Sequence, residues 1–271
     1  MTRRIAISSQ KGGTGKTTIS LNLALSMAER GTRTLLVDLD PQGGIGHSLS
    51  RGDTDLVGLA DVLMGACSPG EAVLETKLAM LSLLPRGRLD AVDACEFEQA
   101  LLRPGVLAEA LEAVEKPFDV VILDTPSGVG MPTRAALAVS HFALVPVQGE
   151  PLSLRSIGQM LRVIEHVKGK ENPNLQLLGI LPTMVERHNE ASLNVLITAW
   201  RELGGVLETV IPRADVFAKA SEAGLPLAYL GGKPSPEANR FGMLATEVQS
   251  LMADLGGEEE QYVERPARQL L

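Results

Sequence analysis

Short apolar runs and longer amphipathic stretches take turns along this chain, and the alternation predicts its architecture. Arg4 to Ser9, Thr34 to Val37, Met80 to Leu84, Phe118 to Leu123, Phe142 to Val147, Leu175 to Leu181 and Val206 to Ile211 are β-branched or leucine-rich runs of strand length. Helical spacing fills the intervals: Lys16 to Arg30, Leu56 to Met64, Phe97 to Glu115 with Pro104-Gly105 interrupting it, Pro132 to Val139, Leu154 to Val167, Ala191 to Leu203, Phe217 to Ala223 and Pro236 to Leu255. Gly31 stands just past the first helix, where a left-handed residue closes a C-terminus. Phe118 to Leu123 is almost continuously apolar, as in strands that a parallel sheet buries on both faces. The rhythm predicts an α/β fold with a single doubly wound, mostly parallel sheet and helices on both faces. Residues 1–255 form one domain in this reading, and 256–271, opening with Gly256-Gly257-Glu258-Glu259-Glu260, are a polar C-terminal tail.

Composition narrows the class. Of 271 residues, 45% are hydrophobic and 21% charged, which excludes disorder over most of the length. Unbroken apolar stretches such as Val120 to Leu123 fall far short of the roughly 20 residues that span a bilayer. Ile5-Ala6-Ile7 after Arg3-Arg4 is too little for a signal-peptide core, so a cytoplasmic protein is expected. Cys67 and Cys95 have neither the spacing nor the histidine neighbours of a zinc site or a disulfide framework. The net charge of −8 excludes a polycation that coats nucleic acid. That acidity is uneven: residues 53–124 hold five Lys/Arg against fourteen Asp/Glu, while 150–240 hold ten of each. Aromatics at 3% leave little to stack on bases, so any DNA contact would be to phosphates.

The chemistry begins at Ser9-Gln10-Lys11-Gly12-Gly13-Thr14-Gly15-Lys16-Thr17-Thr18, at a predicted strand-to-helix junction. Glycines there let successive amides converge on phosphate oxygens. Lys16 is placed to reach β- and γ-phosphates, and the Thr17 hydroxyl to ligate Mg²⁺. Gln10 occupies the position where the usual phosphate-loop pattern has its first glycine, and Lys11 follows it. Two further carboxylates, Asp38 and Asp40, follow the strand ending at Val37, and Asp124 ends the apolar strand before it. In doubly wound sheets these are the strand ends that face ligand.

Lys11 to Thr17 resembles the deviant Walker A box of the ParA/MinD family of positioning and partitioning ATPases. Leu36 to Gly43 resembles that family's second box, Val120 to Pro126 its Walker B strand, and Val210-Ile211-Pro212-Arg213 with Gly224-Leu225-Pro226 its nucleotide-base loop. Ser127 stands where the family often has a second proline. The resemblance implies a P-loop fold that binds ATP and Mg²⁺ through Lys11, Gly12, Gly13, Thr14, Gly15, Lys16, Thr17, Thr18, Pro212 and Arg213. It implies Asp40 as the residue that orients attacking water, with Thr17, Asp38 and Asp124 about the metal. Lys11 is the signature lysine that crosses a two-fold interface to the partner's γ-phosphate, so ATP holds a homodimer and slow hydrolysis releases it. Closer likeness to the ParA/Soj branch implies non-specific double-stranded DNA as the surface bound, with Arg187, Arg213, Lys219 and Arg240 as candidate contacts and Arg155 and Arg162 preceding them. A ParB-like or other partner would stimulate hydrolysis, and the protein would ride the nucleoid when ATP-bound. Val216, where ParA proteins often carry another arginine, weakens the DNA reading. The alternative is a MinD-like ATPase acting on a membrane or protein scaffold. The acidic, proline-broken end (Glu258 to Pro266) lacks the basic amphipathic helix a membrane needs. An electron-transfer ATPase like nitrogenase iron protein would need cluster cysteines that Cys67 and Cys95 do not match.

Overall fold

The apolar runs assemble into one seven-stranded sheet in a computed structural model that describes residues 1–47, 56–90, 92–150, 153–186, 188–231 and 235–257. The strands are β1 (Arg3–Ile7), β2 (Thr34–Asp38), β3 (Leu74–Glu75), β4 (Leu81–Leu84), β5 (Val120–Asp124), β6 (Phe142–Gln148) and β7 (Gln176–Thr183), in the order β3-β4-β2-β5-β1-β6-β7. All neighbours are parallel except β3, which pairs antiparallel with β4. The helices are α1 (Lys16–Glu29), α2 (Gly44–His47), α3 (Leu59–Leu63), α4 (Pro69–Ala72), α5 (Ala94–Leu101), α6 (Val106–Glu112), α7 (Met131–Val139), α8 (Ser153–Lys170), α9 (Glu190–Glu202), α10 (Asp215–Ala223) and α11 (Pro236–Gly257).

Successive side chains on a strand point to opposite faces, so each central strand feeds two cores. Val121 and Leu123 of β5 join Leu35, Val37, Phe97 and Leu137 on one face, under α3 and α5 to α8. Val120 and Ile122 join Ile5, Ile7, Leu36, Phe142 and Phe241 on the other, under α1 and α11. Every residue of β2, β5 and β6 is buried. The doubly wound arrangement expected from the alternation is present.

Register then does the positioning. Ile7 lies opposite Asp124, and Asp38 lies opposite Asp124 on the other side. The phosphate-loop entrance and two of the three acidic strand ends therefore meet at the carboxyl edge of the sheet, where such folds bind ligands.

Two segments differ from the sequence reading. Val206 to Ile211 is not a strand. It runs beside β7, with Leu207 N–H donating to Ile180 C=O at 2.9 Å and Ile211 N–H to Pro182 C=O at 2.9 Å. The amides of Glu208 and Thr209 instead donate to the Glu247 carboxylate of α11, at 2.6 and 3.0 Å. A side chain has taken the place of a ladder. The interruption expected at Pro104-Gly105 is present: α5 and α6 are separate helices, broken where Gly105 adopts φ 79°. The segment after α3 carries α4 and the short antiparallel β3, neither of which its polar sequence announced. Helix α11 continues through Gly257, and the remainder of the tail lies outside the described residues.

Candidate nucleotide site

The loop between β1 and α1 is held from behind by side chains. Ser9 Oγ donates to the Lys11 carbonyl at 3.0 Å, Gln148 Nε2 to that of Gly13 at 2.7 Å and Thr183 Oγ1 to that of Thr14 at 3.1 Å. Fixing these three carbonyls suits the loop to an anion cradle built from its amides. Gly15 sits at φ 86° immediately before α1, a left-handed conformation that favours glycine. The helix N-terminus follows directly, adding its own partial positive charge.

Lys16, only 6% exposed, donates from Nζ to Ser127 Oγ at 3.0 Å. Burial lowers its pKa, while Asp124 and Asp40 nearby act to raise it. Asp124 is fully buried. Its Oδ1 accepts from Ser20 Oγ at 2.8 Å, and its Oδ2 has no hydrogen-bond partner among the described residues. Burial pushes this carboxyl up to about 6, with Asp40 adding to the shift and the Thr17 and Ser20 hydroxyls and Lys16 opposing it. A buried, orphaned carboxylate oxygen beside a threonine hydroxyl suits a hydrated divalent cation. Among the described residues no cluster of three or more His, Cys, Asp or Glu side chains forms a cage. A cation here would therefore draw most of its ligands from phosphate and water, as Mg²⁺ does.

Asp38 is buried and engaged by backbone: Oδ1 accepts from Asp40 N–H at 2.9 Å and Oδ2 from Ile45 N–H at 3.1 Å. It ties down the loop that carries Asp40. Asp40 is half-buried, and its Oδ1 accepts from Gln42 N–H at 2.9 Å. Arg86 reaches the same loop, with Nη1 donating to the Pro41 carbonyl at 2.7 Å.

Lys11 behaves differently from Lys16. Its side chain is 40% exposed, and Nζ donates to Gln148 Oε1 at 2.7 Å and to Glu150 Oε2 at 2.5 Å.

Beside the loop, Gly15, Ile19, Met184, Pro212, Phe217 and Phe241 line an apolar slot of about 140 Å³. Phe217 and Phe241 meet edge to face with centroids 6.4 Å apart. The slot is apolar, as a nucleotide base requires, and Met184, which lines it, holds φ 51°. Gly224-Leu225-Pro226 lies farther off, anchored to α1 by Leu227 N–H donating to Asn22 Oδ1 at 3.0 Å.

The structure thus brings together Gly12 to Thr18, Asp38, Asp40 and Asp124, and sets Pro212 and Arg213 at the slot. Arg213 has its guanidinium taken by Glu186, Nε to Oε1 at 2.9 Å. Glu186, Glu190, Asp215 and Glu237 line the same cavity of about 830 Å³. Lys219 on α10 is exposed and Arg240 on α11 half-buried, away from the phosphate loop; Arg187 lies outside the described residues. Sequence reasoning did not find Ser127, Gln148, Glu150 or Arg86 as members of this site.

Over residues 2–177 the chain matches the family described as AAA domain. It is 36% identical over 230 residues to the chromosome partitioning protein ParA of Caulobacter vibrioides, covering 83% of this chain and 86% of that protein. It is 38% identical over 252 residues to the chromosome-partitioning ATPase Soj of Thermus thermophilus, covering 91% and 95%. Its backbone superposes on cobyrinic acid a,c-diamide synthase of Mycobacterium smegmatis, with bound ATP analog and magnesium, at a TM-score of 0.78 and 33% identity, covering 95% and 97%.

Proposed function

This chain belongs to the ParA/Soj family of chromosome-partitioning ATPases, and from that premise we propose that it is a nucleotide-driven switch that dimerises on ATP and binds DNA without sequence preference. Residues 1–255 are its ATPase domain, and it works in the cytoplasm, on the nucleoid while ATP-bound. ATP lies with its phosphates on Lys11 to Thr18 and its base in the slot by Pro212. Thr17, Asp124 and Asp38 are the residues that would hold Mg²⁺. The metal supplies charge neutralisation on the phosphate oxygens. Asp40 orients the attacking water. Hydrolysis is slow until a ParB-like or other partner stimulates it, and the dimer then parts.

The observation that carries this reading is Lys11. Lys16 is buried in the loop, whereas Lys11 is drawn sideways to Gln148 and Glu150 at a half-exposed edge. Its charged end, held apart from that of Lys16, is the group we assign to the phosphates of a second subunit, in the manner of an arginine finger. Lys11→Ala is expected to bind ATP at near wild-type affinity yet stay monomeric. Light scattering with ATP checks this, and a Lys11→Ala dimer sinks the proposal.

DNA contact is supported by exposed cations: Arg155 and Arg162 on α8 and Lys219 on α10. Arg213, surrounded by carboxylates, contributes less to a phosphate surface than its sequence position suggested.

A further inference from the structure

Arg86 is a cation buried to 8% exposure at the end of β4, next to a loop that carries chemistry. Its main chain is fixed. The carbonyls of Pro85 and Arg86 accept the Leu59 and Ala60 amides, both at 2.8 Å, which stitches the end of β4 to the first turn of α3. Gly58 allows that approach, since a Cβ there would collide with the Pro85 carbonyl and the backbone of Gly87. From this anchored position Nη1 donates to the Pro41 carbonyl at 2.7 Å.

Pro41 directly follows Asp40. On its other side Asp40 is held by its own amide donating to Asp38 Oδ1 at 2.9 Å. Asp40 also closes the turn beyond Pro41, accepting from Gln42 N–H at Oδ1 (2.9 Å) and from Gly43 N–H at its carbonyl (2.8 Å). The backbone that carries the Asp40 carboxylate is thus held between the Asp38 side chain and the Arg86 guanidinium.

We infer that Arg86 is a positioning residue for hydrolysis: by clamping the Pro41 carbonyl it fixes the Asp40 carboxylate at the mouth of the phosphate loop. A guanidinium suits the task because its bond to a carbonyl is charge-assisted and its planar fork restricts geometry. The inference rests on Asp40 as the group that orients water. Displacement of such a group by about 1 Å costs on the order of 100-fold in rate.

The test uses the full chain carrying Arg86→Met, Arg86→Lys or Asp40→Ala. Arg86→Met is expected to lower kcat about 10- to 100-fold at unchanged KM for ATP, with Arg86→Lys recovering part of the loss. Hydrogen exchange of the protein without nucleotide gives a readout independent of turnover. The Asp40, Gln42 and Gly43 amides should exchange at least about tenfold faster in Arg86→Met, while α1 and β5 stay as in wild type. Wild-type kcat together with wild-type exchange overturns the inference. So does a rise in KM at unchanged kcat, in either Arg86 variant, because that is lost binding. If Arg86→Met does not fold, Arg86→Lys decides on the same two measurements. Failure of the Asp40 reading itself shows separately, as wild-type turnover by Asp40→Ala.

Discussion

Asp124 shows what a single side chain tells about the working state. Its carboxyl is pushed up to about 6 chiefly by burial, against an ordinary 3.8. The folded chain therefore binds this proton more tightly than the unfolded chain. Stability without nucleotide should fall as pH rises from about 4 to about 6 and change little above that, by about 3 kcal/mol at most from this group. Asp124→Asn removes the charge, so its melting temperature at pH 7 should equal or exceed wild type and lose most of the slope between pH 4 and 6. Thermal melts across that range check the point; a wild-type slope in the variant contradicts it. The same residue separates what the sequence disclosed from what it concealed. Asp124, Lys16 and Thr17 were legible because local spacing places them at strand and helix ends. Ser127, Glu150 and Arg86 were not, because they reach Lys16, Lys11 and Pro41 from 111, 139 and 45 positions away. No periodicity encodes such a meeting.

At the scale of elements, the strands buried on both faces were legible from their apolar runs, and β1, β2, β5 and β6 lie where those runs are. Val206 to Ile211 has the same composition, yet Glu247 of α11 captures two of its amides. Apolar pattern reports burial, and burial beside a sheet does not require a ladder. The junction of β4 and α3 was invisible for another reason: it depends on how closely two backbones approach, with Gly58 against Pro85 and Gly87. Gly58→Ala should therefore destabilise the fold by about 1–3 kcal/mol through overpacking. Urea unfolding measures this, and a loss within a few tenths of a kcal/mol would show that the junction yields freely. Because Arg86 is mounted on that junction, the variant should also slow hydrolysis.

For the whole molecule, the net charge of −8 makes DNA binding by one subunit weak. In the proposed ATP dimer, pairing would double the phosphate contacts and raise the effective concentration of the second set. The Asp40→Ala protein, accumulating as the ATP dimer, should shift duplexes of any sequence, with log affinity falling linearly in log salt. Arg162→Glu and Lys219→Glu should weaken this alike for all sequences, and Arg213→Glu, already paired with Glu186, should do so less. Mobility shifts at several salt concentrations check the order, and no shift at low salt with ATP sends the reading to a membrane or protein scaffold. Both margins of the sheet bear on how such an assembly stays reversible. At one margin β3 runs antiparallel to β4 and is two residues long. At the other, β7 is flanked by the irregular 206–212 segment, touching it by isolated bridges at Ile180–Val206 and Val185–Pro212. Among the described residues, neither rim offers a long, regular row of amides and carbonyls for a second chain to extend. In the proposed assembly, copies gathered along DNA would then not be zipped together by sheet extension, and the nucleotide-dependent surface would be left to join and release them.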